Sequence, residues 1–306
     1  MESADQHVRR YETRVAIAAV VVGALLLGVK FAAFLITGSA AIYSDALESI
    51  VNVLASSFAL YAVVLAHSPA DRKHPYGHGK VEFLAAGFEG GMIALAAAVI
   101  VFRTIQAMWY GPTIDRIDHG LLLILLAMVV NGVLGLFLLH SGRKHGSITL
   151  QADGKHLLTD ALTSVAVSIA LVAVRVTGWV WFDPIAALLV AGYITWIAMG
   201  LLRTSAAGLM DQQDLADDRL LREILDAHTS GARQPRICSY HKVRHRHSGR
   251  YHWVDFHIMV PASWNVEQGH RVASSIEYEI EQALGEGNAT AHVEPCEEAR
   301  CGSCSE

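Results

Sequence analysis

Asp45, Glu48 and Asn52 are spaced i, i+3 and i+7 within a segment otherwise apolar enough for lipid. On a helix that spacing projects all three side chains from one stripe. Further along, His156 and Asp160 are i, i+4, with Asp153 one turn earlier, and they too share a helical face. An ionisable group at membrane depth is costly, so its default reading is functional. If the two stripes face each other, carboxylate, imidazole and amide oxygen converge. Such a mixed nitrogen and oxygen set suits Zn²⁺, and also Mn²⁺, Fe²⁺, Co²⁺ or Ni²⁺; without thiolate it disfavours Cu(I). The plainer alternative is that these groups cap helix ends or act as inert polar glue. That alternative fits Asp45 and Asp153 best, each about one turn from a predicted helix start. Matched spacing on two separate helices favours a site.

The elements that must hold these residues are legible from composition. The chain has 306 residues, of which 53% are hydrophobic and only 17% charged. Soluble domains are nearer a quarter charged, so the deficit points to lipid as solvent. A bilayer core of about 30 Å needs roughly 20 mostly apolar helical residues. Six windows meet this: Val15–Ile36, Ala41–Ala66, Phe83–Met108, Gly120–His140, Leu157–Val176 and Pro184–Leu202. The second, third and fifth carry polar residues, among them Glu89 and Ser168, and are expected to face one another or a wet cavity. Arg9, Arg10, Arg14, Arg72, Lys73, Lys80, Arg143 and Lys144 all fall on one side of this topology. Both termini are therefore predicted cytosolic. Lys30, inside the first window, is expected to snorkel. The polar segment Met1–Arg14 lacks an apolar signal core, so no cleaved signal peptide is expected.

From about Asp211 the chain reads as a water-soluble domain. The pattern is a helix over Asp214–His228, strands over Ile237–His247 and Tyr251–Val260, a helix over Val266–Leu284 and a last strand over Ala289–Glu294. That order suggests an α+β domain with helices on one face of a sheet. The expected division is 1–210, a six-helix all-α transmembrane bundle; 211–295, the cytosolic αββαβ domain; and 296–306, a flexible tail. In the tail, Cys296, Cys301 and Cys304 include a C-x2-C spacing that suits metal; the flanking Gly, Ser and Glu suit a flexible end. Four cysteines make no disulfide framework and fit a reduced compartment. A net charge of −5 gives no basic footprint for nucleic acid.

With these residues in view, the chain resembles the cation diffusion facilitator family, whose members exchange cytosolic Zn²⁺ or related ions for protons. The resemblance rests on SDALESIVN and ADGKHLLTD, on the loop PADRKHPYGHGKVE and on the carboxyl-terminal histidines, and it runs from the first helix to about Pro295. It implies a transport site of Glu48, Asn52, His156 and Asp160. Asn52 departs from the family, which usually has a carboxylate there. Either its amide oxygen is the ligand or Asp45 completes the site. Glu48 and Asp160 together supply −2, which balances a divalent ion.

The resemblance further implies a loop metal site of Asp71, His74 and His78, although Pro75 and Gly77 argue for a bent loop. It also implies a ferredoxin-like, metallochaperone-like carboxyl-terminal domain, with a metal cluster of His241, His257, His270, His292 and Glu294. An ideal two-residue turn at Ser248-Gly249 would put His241 and His257 on opposite faces, so they share a cluster only with a bulge or a longer loop. His245, His247 and His252 have no family counterpart and read as surface residues or extra weak ligands. A charge interlock between subunits would pair Lys80 with Asp211. The implied partners are metal ions, protons, membrane lipid and a second copy of the chain. The implied setting is a bacterial inner membrane, with efflux from the cytosol.

Mechanism follows from competition. Ligation needs neutral imidazole and ionised carboxylate, so metal binding releases protons and protonation expels metal. Combined with rocking of the bundle, this is alternating access with proton antiport. No H-E-x-x-H sequence and no Walker A sequence occurs, which disfavours a metalloprotease and an ATP-driven pump. The chain is therefore not expected to be an enzyme. The competing reading is a membrane-bound metal sensor without active transport.

Overall fold

In the computed structural model, residues 2–37, 40–110, 121–179 and 181–296 are described. Within the helices, the side chains of some residues, Asp45 and Glu48 among them, lie outside that description. The chain divides into two compact units, 1–206 and 207–306.

The first unit is helical, with α1 (Glu2–Thr37), α2 (Ala40–Ala66), α3 (Val81–Tyr110), α4 (Leu121–His145), α5 (Ile148–Thr177) and α6 (Phe182–Leu209). Among the described residues, four stretches are long and apolar enough to cross a membrane: Arg9–Ala32, Val81–Gln106, Leu125–His145 and Pro184–Leu209. These lie in α1, α3, α4 and α6. Six such windows were expected. In α2 and α5 the described side chains are interrupted, and the described stretch Asn52–Ala66 of α2 is apolar but shorter.

Two apolar clusters fix α5. Leu150 and Leu157 pack with Val15, Ala16 and Ala19 of α1, Val63 of α2 and Leu138 of α4. Ala152 packs with Ala86, Ile93 and Ala97 of α3 and Ile194, Ala198 and Leu201 of α6. Between α4 and α5 the backbones approach closely. A Cβ on Gly154 would lie 2.7 Å from the Leu139 nitrogen and 2.9 Å from the Gly135 oxygen. Lipid gives no hydrophobic drive for helix pairing, so small residues that let backbones touch supply the packing.

The start of α5 is capped from another helix. Buried Glu82 of α3 accepts hydrogen bonds from the backbone N–H groups of Ile148 (2.7 Å) and Thr149 (3.3 Å) and from the Ser147 hydroxyl (3.3 Å). A carboxylate at a helix amino terminus satisfies orphan donors and meets the positive end of the dipole. α5 therefore begins nine residues before the expected window. Asp153 sits inside the helix rather than near its first turn. It is buried and accepts a hydrogen bond from Ser56 of α2 (2.9 Å), so it does not cap. Lys30 does not snorkel: it is buried and donates to Ser49 of α2 (2.8 Å).

In the second unit, α7 (Leu215–Ser230) is followed by β1 (Ser239–Ser248), β2 (Tyr251–Pro261), α8 (Val266–Leu284) and β3 (Gly287–Cys296). The sheet order is β1-β2-β3; β1 is antiparallel and β3 parallel to the central β2. α7 opens on Asp214, whose side chain accepts from the Ala216 N–H, and closes on left-handed Gly231. α8 opens on an Asn265–Gln268 capping box. Leu221, Ile224 and Leu225 of α7 and Val272, Ala273, Ile276 and Ile280 of α8 bury one sheet face against Val254, Phe256, Ile258, Val260 and Ala289. Alternation along β2 and β3 leaves His257, His292 and Glu294 on the opposite face.

Candidate metal sites

Three helices bring polar groups together within the first unit. Asn52 of α2 donates from its amide nitrogen to Asp160 of α5 (2.7 Å), and its amide oxygen lies 3.2 Å from His156 Nε2. A carboxylate only accepts, so the amide nitrogen must face Asp160 and the oxygen is left to the imidazole. His156 Nε2 is also 3.8 Å from Asp160 Oδ2. Asn52 oxygen, His156 nitrogen and Asp160 oxygen thus converge, as the paired stripes predict. Asp45 and Glu48 belong to α2, but their side chains lie outside the described residues, so their expected part is carried by spacing alone.

One residue of this constellation is absent from the sequence-derived ligand set. Glu89 of α3 is fully buried, both its oxygens lack a hydrogen-bond partner among the described residues, and Oε2 lies 3.7 Å from His156 Nδ1. A carboxylate behind the second nitrogen of a ligating histidine fixes its tautomer and orientation. The available signal was an acid in an apolar window, flanked by small residues in Ala85-Ala86-Gly87-Phe88-Glu89-Gly90-Gly91. Lacking the i, i+4 partner of a ligand pair, it offered no spacing argument.

In the loop after α2, Asp71, His74 and His78 form a compact group. His74 Nδ1 lies 3.1 Å from Asp71 Oδ1, and His78 Nε2 lies 3.6 Å from Asp71 Oδ2 and 3.1 Å from His74 Nδ1. The loop is bent, as Pro75 and Gly77 suggest, and Gly77 takes a φ of 79°. Asp71 closes the bend by accepting the backbone N–H groups of His74 (2.6 Å) and Lys73 (2.7 Å). The bond from the His74 N–H, ahead of the others, holds the Asp71 carboxyl below its ordinary value.

The carboxyl-terminal sheet carries a third group. His241 and His257 are direct neighbours across β1 and β2, because the register shifts between His241 and Arg244. This is the bulge that the hairpin required, and Lys242 there takes a positive φ of 51°. His257 Nδ1 lies 2.8 Å from Glu294 Oε1, His241 Nε2 3.3 Å from Glu294 Oε2 and His292 Nε2 3.8 Å from Glu294 Oε1. The hydrogen bond to His257 leads in holding the Glu294 carboxyl below its ordinary value. His270 is not drawn into this group; it is exposed on α8. Lys80 and Asp211 fall in different units, and Asp211 Oδ2 lies 3.6 Å from Arg246 Nη1 within the second. Cys296 is buried at the end of β3, whereas Cys301 and Cys304 lie outside the described residues.

The same bulge turns a second run of histidines to the helix-bearing face. After it, His245 pairs with Val254 and His247 with His252, and all three histidines gather near Asp217 in the first turn of α7. The His245 side chain is 0% exposed, so its reading as a surface residue is corrected. Burial, ahead of its charged neighbours, pushes the imidazoles of His245 and His252 below their ordinary value.

Comparison with known proteins places this geometry. The model of the cation efflux transmembrane domain matches residues 16–210, and that of the cation efflux protein cytoplasmic domain matches 221–296. The chain belongs to the cation efflux family. Over 283 residues it is 35% identical to an uncharacterized transporter of Synechocystis sp., covering 91% of this chain and 89% of that one. It is 30% identical over 292 residues to the cation-efflux pump FieF of Citrobacter koseri, covering 95% of each. The FieF pump of Shewanella oneidensis is 27% identical over 278 residues, covering 91% of this chain and 92% of its own. A solved structure of CzrB in its Zn form, described as a candidate zinc transporter, is 28% identical over 27% of this chain and 89% of its own, with a TM-score of 0.25. By this membership the helical unit is a membrane domain, and the αββαβ unit matches the family's cytoplasmic domain. The paired stretches from which the resemblance was drawn lie inside the first match.

Proposed function

We propose that this chain is a secondary active transporter that exports divalent transition-metal cations from the cytosol in exchange for protons. Zn²⁺ is the leading candidate, and Cd²⁺, Fe²⁺, Mn²⁺, Co²⁺ and Ni²⁺ fit the same donor set. The observation that carries this reading is the meeting of Asn52, His156 and Asp160 from α2 and α5, with Glu89 of α3 behind the imidazole. Ligands come from Asn52 Oδ1, His156 Nε2, Asp160 and, by spacing, Glu48. Asp45 remains the alternative to the Asn52 oxygen. With Glu48 and Asp160 ionised, the site carries −2 and neutralises one divalent ion. All six helices span, with α2 and α5 facing the path and both termini cytosolic, in a bacterial inner membrane. The cytosolic domain, from about residue 211, is ferredoxin-like and supports a homodimer, with Lys80 and Asp211 in an interlock between subunits. The loop group and the His241, His257, His292 and Glu294 group hold regulatory ions. The cysteine tail from 296 adds a weak ligand set.

The sensor reading differs in one measurable respect. In proteoliposomes, Asp160→Ala is expected to abolish metal flux while the cytosolic groups keep their metal. Absence of flux in the wild type, or loss of both properties together in the variant, would support a sensor instead.

A further inference from the structure

The helix-facing histidines have a geometry of their own. Asp217 Oδ2 lies 3.0 Å from His247 Nε2, 3.2 Å from His252 Nδ1 and 3.8 Å from His245 Nε2. Asp217 Oδ2, His247 Nε2 and His252 Nδ1 are buried, and among the described residues none makes a well-aligned hydrogen bond. The His245 side chain is wholly buried, and those of His252, Asp217 and His247 are 15%, 21% and 25% exposed. Buried polar groups are normally hydrogen-bonded, so three orphaned donor atoms at one point need a partner. One proton on one imidazole would satisfy one pair; three imidazoles crowd a single carboxylate oxygen.

We infer that Asp217, His245, His247 and His252 bind a divalent transition-metal ion at a site separate from the transport, loop and His241–His257–Glu294 groups. A tetrahedral ion with bonds of about 2.0–2.1 Å to nitrogen and oxygen sets its donors about 3.3 Å apart. The three carboxylate-to-imidazole distances bracket that edge. Three imidazoles and one carboxylate are a Zn²⁺-class donor set, and a hard cation such as Mg²⁺ or Ca²⁺ is poorly served by it. His245 Nε2 accepts the Asp214 backbone N–H at 3.0 Å, a bond that ligation replaces. Asp214 is the amino-terminal cap of α7 and follows the end of α6 by five residues. The ion would therefore join the hairpin to the first turn of the helix that continues the chain from α6. A bulge at 241–244 makes this possible: it sends His241 to one face of the sheet and His245 and His247 to the other.

The test is metal stoichiometry in the full chain, purified in detergent and stripped of metal, by equilibrium dialysis against Zn²⁺ alone. His247→Gln/His252→Gln is expected to bind one equivalent less per chain than wild type. Glu294→Gln is expected to lose a different equivalent, so that the losses add in the combined variant. Unchanged stoichiometry in His247→Gln/His252→Gln would overturn the site. Should that variant misfold by circular dichroism, wild type alone decides. Saturating Zn²⁺ is expected to slow acylation of His247 and His252 by diethyl pyrocarbonate at least tenfold, read by peptide mass; no protection would overturn the site. Neither readout involves flux, so this inference and the transport reading fail independently.

Discussion

In the proposed transport site, Asn52 is the residue on which the chemistry turns. A neutral amide between His156 and Asp160 contributes an oxygen without charge, and its nitrogen holds the Asp160 carboxylate in place. In Asn52→Asp, two carboxylates would face each other at that distance, and like charges so close retain a proton until metal displaces it. Zn²⁺ binding by this variant is expected to release about one more proton per ion than wild type. Calorimetry in buffers of different ionisation enthalpy measures that number, and an unchanged count would remove Asn52 from the site. Glu89 lies behind the imidazole, with Oε2 3.7 Å from His156 Nδ1. Glu89→Gln is expected to weaken Zn²⁺ binding about 10–100-fold, the usual cost of losing a carboxylate behind a ligating histidine. Affinity within twofold of wild type would show that His156 is oriented by other groups.

At the scale of elements, the site depends on where α5 is held. Glu82 caps its start, Gly154 locks its backbone against α4, and His156 follows two residues later. The neighbour of Gly154 is backbone, which cannot swing aside as a side chain can. Gly154→Val is expected to lower stability by about 1–3 kcal/mol and to reduce flux. A thermal melt in detergent measures the first effect, and a wild-type midpoint would mean that α4 and α5 separate without cost. The helix patterns of the second unit are legible in the sequence: α8 occupies Val266–Leu284 as its periodicity indicates. Less legible is α5, because its polar first nine residues, Ile148–His156, look like loop until Glu82 of a distant segment caps them. Least legible was the bulge after His241, since a one-residue register shift leaves no mark in an alternating Tyr-His-Lys-Val-Arg-His-Arg-His run. That shift determines which histidines share a face, so the His241 group could be named only conditionally and the His245 group was read as surface.

At the scale of the whole molecule, the polar groups that converge come from α2, α3 and α5, inside the unit that matches a cation efflux transmembrane domain. Ionisable groups placed in such a domain are expected to face a path for ions rather than lipid. In the proposed mechanism, metal bound by neutral imidazole and ionised carboxylates exchanges with protons, and the pH difference across the membrane sets the direction of net transport. The most direct test is Zn²⁺ flux in proteoliposomes with the pH gradient imposed in either direction or abolished. Flux is expected to run toward the acidic side, to reverse when the gradient is reversed, and to fall at least tenfold in Asp160→Ala. Flux that ignores the gradient in wild type would contradict proton exchange at this site.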